Sequence, residues 1–334
     1  MIQRYLIAGM IALIAAQTAF ASDADDDLRA EQQELLAWAQ TLRYQARVKE
    51  AISVCDKIVS ADPTCTDAWV EHGVIALSEA RFVVAQEDFL HALAHDPHHP
   101  MALVGQAHVQ HALGNSEHAQ RNAARALQRC NRIIDAGAAD AQTWYVRGLA
   151  RMLLQDERGL QDFATAVSLD PAHMDARGER AHIYRSMDRL DAGIDELTRA
   201  VEIRPDYAVG YLSRARMHYE AGDLELSIAD CDAALQVNAD YEQAWHNRGL
   251  VNIEREDFEA AIADLTEAIR VDPEYASAHV YRGQAYLAAG DTDAARADWE
   301  KTQELDPDGW AGQAAEEMLA KLQQSDDAEA DVGG

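Results

Sequence analysis

Histidine is the chemically versatile residue most concentrated in one stretch of this chain. Seven of the 13 histidines lie between His91 and His118, at His91, His95, His98, His99, His108, His111 and His118. His91 and His95 are four apart and His108 and His111 three apart, which puts each pair on one face of a helix. Neutral imidazoles so placed ligate Zn²⁺ or Cu²⁺ when further donors converge on them. Without metal they form a polar loop and groove that titrates near roughly pH 6.5. The four cysteines offer less: Cys55, Cys65, Cys130 and Cys231 form no Cys-x-x-Cys pair, and they read as free thiols. Carboxylates abound, with 58 Asp and Glu against 29 Lys and Arg, and most are expected to be solvated faces. The net charge of −29 leaves no basic footprint for nucleic acid. There is no Gly-rich phosphate loop and no nucleophile elbow. The chain is therefore read as non-enzymatic and without a cofactor.

The elements that must carry these residues are marked by proline. Pro63, Pro97, Pro171, Pro205, Pro273 and Pro307 are separated by 34, 74, 34, 68 and 34 residues. All but Pro205 follow Asp. Each step ends a helix, because the residue before proline is pushed out of the α region. Small residues recur with the same period. The eighth position of each unit reads Ala39, Gly73, Ala107, Gly148, Ala181, Ala215, Gly249 and Gly283. The twentieth reads Ala51, Ala85, Ala119, Gly159, Gly193, Ser227, Ala261 and Ala295. Bulky side chains such as Phe89, Phe163, Leu265 and Trp299 sit four positions later. Gly114, Gly222 and Gly290 supply left-handed turns between helices.

This helix–turn–helix period resembles the tetratricopeptide repeat (TPR) family. The expected fold is all-α: a right-handed α-solenoid of about eight TPR units with a C-terminal capping helix. Units 1–3 occupy residues 32–133, an irregular joint 134–140, and units 4–8 residues 141–309. The joint is read as a flex point between two sub-arrays. Residues 310–322 form the capping helix, with Trp310, Met318, Leu319 and Leu322 covering the last repeat, and 323–334 a disordered acidic tail. In units 4–8 the seventh position is Arg (Arg147, Arg180, Arg214, Arg248, Arg282) and the twenty-third is acidic (Asp162, Glu196, Asp230, Asp264, Asp298). That pairing reads as an Arg–carboxylate ladder between packed helices.

The resemblance implies partner segments bound along a concave groove of first helices. Its lining would be Val70, Val74 and Leu77, then Val104, His108 and His111, then Tyr145, Leu149 and Met152. His182 and Arg185, then Leu212, Arg216 and Tyr219, then His246, Leu250 and Ile253 continue it. The family's Lys/Asn clamp for C-terminal carboxylates is absent, since Lys49, Lys57, Lys301 and Lys321 lie off the first helices.

At the N-terminus, Arg4 precedes an apolar run from Tyr5 to Ala16, and Ala19-Phe20-Ala21 offers a cleavage site. Residues 1–21 read as a signal peptide cleaved after Ala21, and 22–31 as an acidic segment. The expected protein is a periplasmic or secreted scaffold of the bacterial cell envelope with protein or peptide partners and no membrane span. Self-association through the terminal repeats is left open. The alternative is a His-dependent metal-binding or pH-responsive module on the same frame.

Overall fold

Residues 23–333 are described by the structure, a computed structural model. The signal peptide expected over 1–21 lies outside the described residues. Seventeen helices and no strand occur among them. In chain order they are α1 (Asp23–Tyr44), α2 (Val48–Ala61), α3 (Thr66–Ser78), α4 (Phe82–His95), α5 (Pro100–Ala112) and α6 (Ser116–Asp135). Next come α7 (Ala141–Leu153), α8 (Gly159–Leu169), α9 (Met174–Ser186), α10 (Leu190–Ile203), α11 (Ala208–Ala221) and α12 (Leu224–Val237). The last are α13 (Glu242–Glu254), α14 (Phe258–Val271), α15 (Ala276–Ala288), α16 (Thr292–Leu305) and α17 (Trp310–Gly333). The architecture is an all-α solenoid of helix pairs, and the described residues form two compact units that divide between Ile183 and Tyr184.

Two devices make every repeat turn alike. The fifteenth residue of each unit is left-handed: Gly114, Gly222 and Gly290, but also Ala46, Ala80, Gln155, Asp188 and Glu256. The N–H of the residue after it closes back on the first helix, as in Arg81 to Ala76 O at 2.9 Å. That bond satisfies a carbonyl the helix end would otherwise leave open. Between units, the Asp before proline accepts the N–H two residues on, at 2.9 Å for Asp62, Asp96 and Asp170 alike. Its carboxylate thus fixes the turn that proline starts.

The small positions let the helices of a pair approach closely. A Cβ placed on Gly148 would stand 2.5 Å from the Phe163 ring, which is itself fully buried. Ser227 hides its hydroxyl by donating to Ala215 O at 2.8 Å. In the first unit, one cluster of Leu103, Val104, Ala126, Cys130, Tyr145, Val146 and Leu149 runs straight across residues 134–140. The irregular joint therefore interrupts the period without dividing the core. α6 and α7 flank it, and Gly137 supplies the left-handed step.

The ends are more helical than expected. α1 already begins at Asp23, inside the acidic 22–31 segment, and α17 continues through the stretch expected to be a disordered tail. Neither stretch contains proline or an internal glycine to stop the helix. Leu322, Met318 and Leu319 pack with Trp299 and Ala295 of the last repeat. Trp310 does not join them. It stands outward, 57% exposed, in the first turn of α17.

Candidate partner-binding site

The ladder of charges is structural. Arg147, Arg214, Arg248 and Arg282 each place Nη2 2.6–2.7 Å from the acid of their own repeat, Asp162, Asp230, Asp264 and Asp298. Nε makes the second bond of each fork. Their guanidinium faces lie over Trp144, Tyr211, Trp245 and Tyr286. Repeat two fills the same place with His72, whose Nδ1 is 2.6 Å from Asp88. These cations are committed to neighbouring carboxylates, so they offer no open anion site.

The residues named for the groove sort by position. Val70, Val104, Tyr145 and Leu212, each fifth in its unit, are buried, as is Leu149. They pack between repeats and line no open surface, which corrects the sequence reading. A side chain at the fifth position points along the stack towards the neighbouring first helix. Val74, Leu77, His108, Arg216, Tyr219, His246, Leu250 and Ile253 are half-buried, and His111, Met152, His182 and Arg185 are exposed.

In the first unit an ionic cluster spans the first helices. Arg43, near the end of α1, donates from Nε to Glu71 Oε1 at 2.7 Å. Its other nitrogens fork onto Asp175 of α9 at 2.9 and 3.0 Å. The Tyr44 hydroxyl donates to the same carboxylate at 2.8 Å. Burial alone would raise Asp175, but the charge and hydrogen bonds of Arg43 outweigh it and hold the carboxyl below its ordinary value. Glu179 lies one turn further along α9 than Asp175 and has no such partner. Burial, reinforced by the charge of Asp175, raises its pKa to about 7. Tyr145 faces both acids, and burial together with their charges raises its phenol. Its ring also packs on His173, with centroids 4.8 Å apart. Burial lowers the His173 pKa, so this ring favours the neutral form.

The sequence reading missed Arg43, Tyr44, Glu71, Asp175 and Glu179. A signal was present, since Glu71 and Glu179 both occupy the sixth position of their units, while Arg43 and Asp175 occupy the twelfth and second. What brings them together is the path of the three intervening repeats, which no local spacing reports.

In the second unit, Arg185 pairs with Glu220 at 2.8 Å and Arg216 reaches Gln243 at 3.2 Å. His246 sits between Tyr275 and Tyr281, at ring distances of 5.0 and 5.4 Å. Burial, then the charge of Arg216, lowers its pKa to about 4. A shallow cleft of about 380 Å³ lies among Tyr219, Glu220, Gly222, Leu224 and Glu254.

The histidines between 91 and 118 do not converge. His91 stacks on Trp69 at 4.5 Å. His99 caps α5 by accepting the Ala102 N–H at 3.2 Å, while its Nε2 meets Asp67. Burial keeps His108 largely neutral. Among the described residues no group of three or more His, Cys, Asp or Glu is placed to hold a metal ion. Cys55, Cys130 and Cys231 are buried free thiols and Cys65 is half-buried. No helix among the described residues is long and apolar enough to cross a membrane.

Comparison with known proteins agrees with this geometry. A family described as "Tetratricopeptide repeat" matches residues 179–245 and 246–309. No curated protein sequence matches the chain. Among solved structures, the APC/C hetero-tetramer Cut9–Hcn1 is 14% identical with a TM-score of 0.58, over 89% of this chain and 59% of that one. The C-terminal part of a TPR repeat-containing protein from Cytophaga hutchinsonii is 17% identical, with a TM-score of 0.46, over 73% of this chain and 98% of that one. A MamA protein is 19% identical with a TM-score of 0.45, over 50% of this chain and 92% of that one. At such identities the Cut9–Hcn1 likeness speaks to the fold.

Proposed function

The chain is a tetratricopeptide repeat protein, and on that premise we propose that it is a non-enzymatic scaffold or adaptor of the bacterial cell envelope. It binds extended or helical segments of partner proteins along the inner faces of its first helices. One observation carries this reading: the arginines Arg43, Arg185 and Arg216 on those faces are held by partners within the chain, whereas apolar side chains there stay partly open. Val74, Leu77 and Met152 do so in the first unit, and Tyr219, Leu250 and Ile253 in the second. Partly open apolar and thioether side chains suit a tolerant peptide groove. Export to the envelope is supported by the pattern of residues 1–21, a short basic start, an apolar run and Ala19-Phe20-Ala21.

The test is a partner retrieved on the immobilised chain and then mapped by hydrogen exchange. Protection should fall on α3, α7, α11 and α13, and Leu77→Glu with Ile253→Glu should abolish binding while helix content stays unchanged. Undiminished binding to that doubly substituted chain sinks the groove assignment.

A further inference from the structure

The cluster around Asp175 contains more negative than positive charge. Arg43 is shared between Glu71 and Asp175, one guanidinium facing two carboxylates. Glu179, four residues beyond Asp175 on α9, adds a third. Among the described residues no donor bonds to its carboxyl group. The group is enclosed on nearly all sides, yet the residue is not sealed from solvent. A carboxyl in that situation has two remedies: to take up a proton, or to receive a cation from outside. In the free chain the proton serves, with the pKa near 7.

We propose that Glu179 and Asp175 form the receptor for one basic side chain, an arginine or lysine, of the segment held in the groove of the first unit. The proposal rests on the scaffold reading above and names the chemistry of its ligand. The guanidinium or ammonium group lies between the two carboxylates of α9. Tyr44, half-buried and already under the Arg43 cation at 4.6 Å, supplies aromatic surface for its stem. The arriving cation completes the pattern that Arg43 begins, two cations against three acids. A charge-assisted, partly desolvated bond of this kind outweighs what an exposed acid would give. The net charge of −29 draws basic segments towards the chain as a whole, and Glu179 fixes where one of them lodges.

Binding is linked to a proton. The incoming cation favours ionised Glu179, so affinity rises as pH goes from about 6 to about 8. The other groups facing the pair are Asp175 on α9, Arg43 and Tyr44 on α1, Glu71 on α3, Tyr145 on α7, and His173 just before α9. Asp175 is held low, Arg43 and Tyr145 are held high, and burial lowers His173, so each is shifted away from that window.

Two fluorescein-labelled leucine- and alanine-based peptides of about ten residues serve as probes, identical except that a central arginine becomes citrulline. At near-physiological salt (about 0.15 M) the arginine peptide should bind the full chain roughly tenfold tighter, with the preference growing from pH 6 to pH 8. Glu179→Gln should remove both the preference and its pH dependence. Glu87→Gln, which removes one exposed acid elsewhere, should preserve both. Equal loss in the two variants, a preference that survives Glu179→Gln, or no binding of either peptide overturns the proposal. If Leu77→Glu weakens both peptides while Glu179→Gln changes nothing, the groove reading stands and only the cation receptor falls. If neither substitution matters, both fall. Glu179→Gln loses a strained charge, so its urea midpoint should match or exceed that of the parent chain.

Discussion

Removing Asp162 tests whether the ladder of Arg–carboxylate pairs holds the repeats together or decorates them. Its side chain is 2% exposed and is clamped by two guanidinium groups. Arg147 donates from Nε at 3.0 Å and Nη2 at 2.7 Å, and Arg151 Nη1 lies 2.8 Å from both oxygens. Hydrogen bonds to charged groups contribute roughly 1.5–3 kcal/mol each, so a plain sum would exceed 4 kcal/mol. That sum overstates the loss in Asp162→Ala. The two arginine side chains keep 12% and 15% of their surface in solvent, and Arg151 retains Asp156 at 3.6 Å. Breaking a fully buried pair costs about 3–5 kcal/mol; with partial rehydration, about 2–4 kcal/mol is expected here. Urea denaturation followed by circular dichroism reads the loss as a lower midpoint. Hydrogen exchange localises it, since amides of α7 and α8 should exchange roughly a hundredfold faster if the opening is confined to that repeat. Asp240→Ala is the reference, because its partner Arg270 is exposed and the pair should contribute nothing measurable. A loss below about 1 kcal/mol in Asp162→Ala, or one no larger than in Asp240→Ala, would show that the buried ladder is worth no more than a surface pair.

Three further outcomes follow from the turns, the packing and the buried histidine. Ala80 sits at φ 54°, so Ala80→Gly should stabilise the chain by about 0.5–1 kcal/mol, visible as a raised urea midpoint. Gly148→Ala drives a methyl into the Phe163 ring and should cost about 1–3 kcal/mol in the same measurement, without changing the fold. His246 is held neutral by burial first and Arg216 second, with a folded pKa of about 4 against roughly 6.5 unfolded. Its contribution is therefore full above pH 6.5 and is lost as pH falls towards 4; His246→Phe should flatten the midpoint-against-pH curve across that window and leave it unchanged above it.

The fold was legible because the repeat writes each rule several times over. Asp–Pro steps, small residues at the eighth and twentieth positions, and Arg at the seventh recur often enough that single departures do not obscure them. The turns show where legibility thins. Gly114, Gly222 and Gly290 announce a left-handed residue, but Ala46, Ala80, Gln155, Asp188 and Glu256 hold the same conformation with no local sign of it. There the flanking helices impose the backbone, and only register with the glycine-bearing repeats would reveal it. The groove was read less well for a related reason. Val70, Val104, Tyr145 and Leu212 share an apolar character with the partly open side chains of the first helices, and burial by a neighbouring repeat is a property of the stack. The histidines between 91 and 118 are close in sequence, yet stacking on Trp69 and capping of α5 send His91 and His99 to separate tasks.

Arg43 carries this argument furthest. A solenoid is ordinarily a sum of repeats and their nearest-neighbour interfaces, so that each unit answers only to the one before and the one after. The fork from Arg43 to Asp175 breaks that rule, since it joins residues 132 apart in the chain and ties the first repeat to the fifth. Its energetic weight is not that of a surface pair, because the Arg43 side chain is only 15% exposed and Asp175 25%. Loss of the first repeat would therefore be felt at α9, where Asp175 would lose its guanidinium partner and stand beside Glu179 as a second uncompensated carboxylate. Asp175 thus belongs both to the charge that makes the groove selective and to the contact that closes the first unit. A substitution at Arg43 would lower stability and alter ligand preference together, whereas Glu179→Gln should alter preference with no loss of stability.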